Sequence, residues 1–241
     1  MSSFQEQLLQ IMDDKDHPLY WQLMGGEGTK PMLKLHYQQE WEVYVRDFPL
    51  YLARILAMNP PADVRQDLAE NLYEEETGKL TIGKPHPELF IYMMTGLGFE
   101  STDFEKVRLL PAAQQYRDWL DAVTTSGDWL LAASVVTIFV EGSRQDRQEV
   151  EGQAKQESPF EEKVKNHPLV KHYGLDAKFL QLQKAHSQAE SGHRIAAWRM
   201  VRGYAESFEE QEKIVRALQK SLELWTAYRD AVQVQCLKTT T

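Results

Sequence analysis

Cysteine is nearly missing: Cys236 is the only one among 241 residues. That excludes an intrachain disulfide framework and points to a reducing compartment. Glycine and proline number 13 and 10, too few for a chain built from many hairpins. The longest near-apolar run, Trp129 to Val140, carries Ser134 and Thr137 and falls short of the about 20 residues that span a bilayer. Met1 to Gln10 lacks a basic segment followed by an apolar one, so it does not read as a secretory leader. Positive charge is also short. Lys and Arg total 27 against 36 Asp and Glu, a formal net charge of −9, which sets the average surface against nucleic-acid phosphates. The expectation is a soluble, cytoplasmic protein with neither nucleic acid nor membrane as partner.

What the sequence does have is helical period. Hydrophobic residues make up 42%, and a chain of this length can bury a real core. Ser2 or Ser3 caps a first helix through Leu8, Leu9 and Met12, with Glu6 as reciprocal partner of Ser3. Further helices are predicted over Lys30 to Arg46, Leu50 to Met58, Ala62 to Glu76, Pro87 to Leu97, Pro111 to Thr125 and Asp128 to Gly142. Pro159 to Tyr173, Asp176 to Tyr204 and Ser207 to Val234 complete the set. Asp47 is read as the cap of the second of these, ahead of Pro49. Strand-like alternation is absent. The pattern predicts one all-α domain over 1–241, a bundle of about seven or more helices. The polar stretch near 143–157 is read as an exposed insertion.

One helical stripe carries unusual chemistry. His186, Glu190 and His193 succeed each other at spacings of four and three, between Phe179 and Leu182 on one side and Ala197 and Met200 on the other. An unpaired carboxylate on such a core-facing stripe costs several kcal/mol, and a metal supplies the missing positive charge. Glu190-x-x-His193 is also the half-motif of carboxylate-bridged dimetal bundles. His186 and His193 are ~10.5 Å apart along the helix axis, which suits two ions ~3.5–4 Å apart better than one. Glu141 ends the apolar run, with no neighbouring lysine or arginine bound to reach it. Glu74 to Glu76 and His86 flank a short loop, and Glu75 or Glu76 joins His86 as a candidate ligand. The bland alternatives are a buried hydrogen-bond network for the stripe, a solvated acidic helix end for Glu74 to Glu76, a helix cap for His86 and a surfacing helix end for Glu141. His17, His36, His167 and His172 read as structural or exposed, and Cys236 lacks local partners that would activate a thiol.

Taken together, Asn71-Leu-Tyr-Glu-Glu-Glu, His86-Pro-Glu-Leu-Phe, the apolar helix ending in Glu141 and His-x3-Glu-x2-His resemble the haem-oxygenase-like di-iron oxidases. That group shares a superfamily with TenA-type thiaminases and pyrroloquinoline-quinone synthase. The resemblance runs roughly from Leu33 to Tyr204 and takes in Asp47-Phe48-Pro49 and His172-Tyr-Gly-Leu. It implies a haem-oxygenase-like bundle holding two iron ions, or an iron–manganese pair, with O2 as cosubstrate and a small metabolite as the molecule oxidised. The ligands it implies are Glu75 or Glu76, His86, Glu141, His186, Glu190 and His193. Glu40 or Glu42, on either side of Trp41, offers a further one, and Phe139 and Trp198 are expected to keep water from the site. Two features depart from the family's pattern: Glu190 stands where Asp is usual, and the interval from Glu141 to His186 is long. Rival readings are a metal-free enzyme of the same fold, a haem protein and a non-catalytic helical interaction module. No cysteine precedes Cys236, which counts against a thiaminase. The crowd of carboxylates counts against haem, and a homodimer is left open.

Overall fold

Local chemistry sets where the helices start and stop. The computed structural model describes residues 2–144, 146–152 and 160–238, with the side chains of residues 189–191 and 193 outside the description. In α1 (Phe4–Asp13) the Ser3 hydroxyl accepts from the Glu6 N–H at 3.2 Å. The expected return bond is replaced, because Glu6 pairs with Arg147 at 2.9 Å. A short helix that periodicity does not reveal, α2 (Pro18–Met24), is capped by His17, whose Nδ1 accepts from the Leu19 N–H at 3.1 Å. The helix α3 (Lys30–Glu40) runs into a π-helical turn, Trp41–Val45, in which the Arg46 N–H reaches back to the Trp41 carbonyl at 3.1 Å. Asp47 precedes α4 (Phe48–Ala57) without a side-chain capping bond. Its carboxylate is held instead by Arg46 and Arg117.

The helix α5 (Ala62–Thr77) ends at Gly78 with φ +61°. A Cβ there would lie 2.1 Å from the Lys84 carbonyl oxygen, so the returning loop demands glycine on steric as well as conformational grounds. After it come α6 (His86–Gly96), α7 (Pro111–Thr124) and α8 (Trp129–Ala133). The last continues as a second π-helical segment, Ser134–Val140. Ser134 and Thr137 donate to the carbonyls of Leu130 and Ala133 at 2.7 and 2.8 Å. That satisfies two buried hydroxyls inside an apolar run, and such competition for carbonyls bends helices. The chain finishes with α9 (Asp146–Val150), α10 (Phe160–Asn166), α11 (Pro168–Tyr173), α12 (Gln181–Tyr204) and α13 (Phe208–Lys238). No strand occurs among the described residues.

Two predicted helices are shorter than expected. The helix ending at Tyr173 breaks at His167, which is extended (ψ 129°) because Pro168 comes next. The helix expected from Asp176 begins at Gln181, after a 3₁₀ turn at Ala177–Phe179. Ser207 and Glu210 do form a reciprocal cap on α13: the Ser207 hydroxyl accepts from the Glu210 N–H and the Glu210 carboxylate from the Ser207 N–H.

α13 lies along α7, the second π segment, α1 and α3, while α12 packs on α6, the same π segment and α5. Tyr51, Ile55, Leu120, Val136, Phe139 and Tyr228 are wholly enclosed at the centre, each aliphatic contributing about 1.5–3 kcal/mol by burial. No described helix is long and apolar enough to cross a membrane.

The polar stretch from Ser143 is exposed at Arg144, Gln148, Glu151 and Gly152 but docks on the bundle through three side chains. Asp146 is buried and accepts from the Ser143 N–H and the Trp198 indole at 2.8 and 3.1 Å, and burial raises its pKa. Arg147 bridges Glu6, Asp13 and Glu151. Glu149 pairs with Arg194 of α12 at 2.7 Å. Residues 153–159 lie outside the described chain.

Candidate metal centre

Three residues of one helix and the first residue of the next form the heart of the site. Asn71, Glu74 and Glu75 belong to α5, and His86 opens α6 after the loop that Gly78 turns back. Glu74 has no exposed surface. Its carboxylate accepts from the Leu80 N–H at 2.8 Å and from the Thr81 hydroxyl, and lies at hydrogen-bond distance, 3.2 Å, from His86 Nε2. On the other side of the ring, Glu75 Oε1 stands 2.9 Å from His86 Nδ1. That approach is close but poorly aligned, and Nδ1 is left buried without a hydrogen bond. Burial disfavours charge on His86, yet Glu75 and Glu74 outweigh it and raise the imidazole pKa.

Two more candidates arrive from distant sequence. Glu141 comes directly after the second π segment, where its own N–H reaches back to Val136 at 3.1 Å. The extra residue in a π turn rotates the residues beyond it by ~100° relative to an unbroken α-helix. The Asn71 amide donates to both Glu141 oxygens, at 3.2 and 3.4 Å. From α12 comes His186, whose ring centroid is 5.1 Å from that of His86. Glu75, His86, Glu141 and His186 border a cavity of about 170 Å³ whose apolar wall is Phe48, Phe90, Val140 and Leu182, with Tyr44 alongside. Both π segments reach this cavity, the first through Tyr44 and Val45 and the second through Val140.

Of the seven residues singled out as ligands, these four converge. Glu76 is exposed and does not border the cavity. Glu190 and His193 sit further along α12, and their side chains lie outside the described residues. Among the described residues no three His, Cys, Asp or Glu side chains are already gathered tightly enough to hold an ion.

Other candidates meet partners that only the fold supplies. Glu40 is held by Arg229 at 2.7 Å and by the Tyr44 hydroxyl at 2.5 Å. Burial pushes its carboxyl upward, but the Arg229 charge and these bonds bring it down to about 2. His36, beside the same guanidinium at 3.0 Å, is lowered to about 4, chiefly by burial. Glu42 pairs with Arg46 at 2.6 Å. Both glutamates thus already have cationic partners. Phe139 and Trp198 are buried but do not border the cavity; the Trp198 indole is turned to Asp146. Cys236 is enclosed, and burial pushes its thiol up to about 11.

Two residues of the site escape sequence reasoning. Glu74 is passed over for its neighbours, and its spacing of three from Asn71 is the one available signal. Lys15 gives none. Its ammonium donates to the carbonyls of Phe139, Val140 and Gly142 at 2.5, 3.3 and 2.8 Å. It satisfies the open end of the segment that presents Glu141, and burial lowers its pKa to about 8.

The donor set fits iron. Two imidazoles and two carboxylates are the nitrogen and oxygen donors that suit it. His86 also has the carboxylate behind its ring that metal-binding histidines use, with the opposite nitrogen beside Glu75 but without an aligned hydrogen bond. An all-helical scaffold with such a cluster between α5, α6, the second π segment and α12 is a haem-oxygenase-like fold. Its backbone is similar to that of a TenA homologue from Pseudomonas syringae pv. tomato (TM-score 0.71, 14% identity, 95% of this chain and 92% of that one). It is equally similar to a Shewanella denitrificans domain of unknown function with a haem-oxygenase-like fold (0.71, 15%, 98% and 93%). The chain belongs to the family of iron-containing redox enzymes, which it matches over residues 35–226. It is 20% identical to a 4-aminobenzoate synthase of Nitrosomonas europaea over 96% of this chain and 91% of that protein. A 4-aminobenzoate synthase of Chlamydia muridarum is 30% identical over 43% of each chain.

Proposed function

We propose that this protein is a non-haem di-iron oxidoreductase that uses O2 to oxidise a small organic molecule. The observation that carries this reading is the meeting of Glu75, His86, Glu141 and His186 around one apolar cavity, with His86 Nδ1 buried beside Glu75 without an aligned hydrogen bond. These four would hold iron together with Glu190 and His193. Iron, or an iron–manganese pair, would supply the electrons for O2 reduction. The protein's own work is to keep the ligands oriented and the cavity dry. The Asn71 amide holds both oxygens of the Glu141 carboxylate, and Phe48, Phe90, Val140 and Leu182 give the space beside the donors an apolar wall. A cavity of about 170 Å³ is small beside drug-sized pockets and suits one small ring. The relatives named for 4-aminobenzoate synthesis favour formation of a small aromatic amine as the specific reaction.

The test is anaerobic loading with ferrous iron, metal analysis and then O2 uptake. About two iron ions per chain and O2 consumption are expected. His86→Ala, His186→Ala and Glu190→Ala should each bind well under the parent amount. Parental iron content in all three variants would remove the ligand assignment, and iron binding without O2 uptake would remove the oxidase reading. The aromatic-amine reading is checked by assaying the reacted protein for 4-aminobenzoate.

A further inference from the structure

We infer that Glu74 is the positioning residue of this centre, fixing the His86 ring so that Nδ1, and not Nε2, is the nitrogen offered to iron. The inference deepens the iron reading and rests on it. Glu74 is wholly buried, and a buried carboxylate is tolerated only when its lone pairs are satisfied. Here three donors meet on it: the Leu80 N–H, the Thr81 hydroxyl and His86 Nε2. It does not border the cavity and its oxygens are taken, so it is not itself a ligand. Of the two ring nitrogens only Nε2 makes an aligned hydrogen bond, and a carboxylate oxygen accepts, so the geometry places the bridging proton on Nε2. That leaves Nδ1 as the one ring atom free to bind metal, and Nδ1 is the buried atom without a hydrogen bond, 2.9 Å from Glu75.

The same carboxylate ties the ring to the loop behind it. Two of its bonds reach Leu80 and Thr81 of the turn that Gly78 opens, and Gly78 packs on Lys84, two residues before His86. Glu74 therefore sets where the imidazole sits as well as which nitrogen it presents. A carboxylate that served only as a loop staple would need the first two bonds and not the third.

The experiment compares ferrous-iron affinity, measured anaerobically, for the parent, Glu74→Gln, Thr81→Val and His86→Ala. Loss of such an orienting carboxylate should weaken iron binding by about 10- to 100-fold in Glu74→Gln. Thr81→Val loosens the loop but spares the imidazole contact, and should stay within about twofold of the parent. If Glu74→Gln keeps parental affinity while His86→Ala loses iron, the positioning role is overturned and the iron reading stands. If His86→Ala keeps parental affinity, the site itself is wrong. A second readout does not depend on the variant folding. In parent protein labelled with ¹⁵N-histidine and loaded with zinc(II), His86 should show a metal-shifted Nδ1 and a protonated Nε2. A proton retained on Nδ1 overturns the assignment.

Discussion

Arg229 is the residue whose loss has the most direct energetic consequence. Its guanidinium is buried and reaches Glu40 at 2.7 Å, the Tyr44 hydroxyl at 3.1 Å and His36 Nδ1 at 3.0 Å. Arg229→Met leaves Glu40 as an uncompensated charge inside the bundle, which should destabilise the fold by about 3–5 kcal/mol at pH 7. The pH profile gives an independent estimate. Folding takes the Glu40 carboxyl from an ordinary value of 4.5 to about 2, burial raising it and Arg229 lowering it further, which corresponds to about 3 kcal/mol. The unfolded chain takes up this proton at a higher pH than the folded one. The contribution is therefore complete above about pH 5.5 and is lost as pH falls toward 2. In Arg229→Met the slope from this carboxyl should reverse, because burial without the cation favours the protonated acid. Urea unfolding of both proteins at several pH values between 3 and 7 measures this. The double variant Arg229→Met/Glu40→Gln should recover most of the loss, since it removes both charges. Equal midpoints for parent and Arg229→Met across that range would refute the reasoning.

The geometry leads to three more expected outcomes. Gly78→Ala forces a Cβ against the Lys84 backbone at a positive φ; it should cost about 1–3 kcal/mol of stability and weaken ferrous-iron binding by displacing His86, read by thermal unfolding and metal titration. Asn71→Leu removes the amide that donates to both Glu141 oxygens and should lower iron affinity about 10-fold or more while leaving helix content unchanged by circular dichroism. Lys15→Met strips three carbonyls of their shared ammonium and should destabilise by about 1.5–3 kcal/mol, a loss that urea unfolding at pH 7 would detect.

The helical class is readable from residue types alone, because a period near 3.6 and capping residues act within a few positions of the chain. Ser3 caps as its spacing implies, and the apolar stripes of α4, α5 and α7 are buried. Glu75, His86, Glu141 and His186 are likewise visible as polar groups at core-facing positions. Helix length is less legible. The break at His167 depends on Pro168 alone, and α2 is only seven residues long, too short for a period to show.

The order of residues by itself therefore determined local matters: which segments coil, which faces are apolar, and which acids and imidazoles sit where a core should be. The tertiary structure decided which of those charges is already neutralised. Arg229 lies 189 positions from Glu40 and 193 from His36, and Lys15 lies 124 from Phe139; no pattern confined to one helix can reveal partners that far away. It also decided register. The two π-helical segments turn Tyr44 and Glu141 toward one cavity, since a single extra residue in a turn redirects every side chain after it. Glu74 shows both effects at once, an ordinary helix glutamate by sequence that becomes a fixed acceptor only when Leu80, Thr81 and His86 fold back onto it.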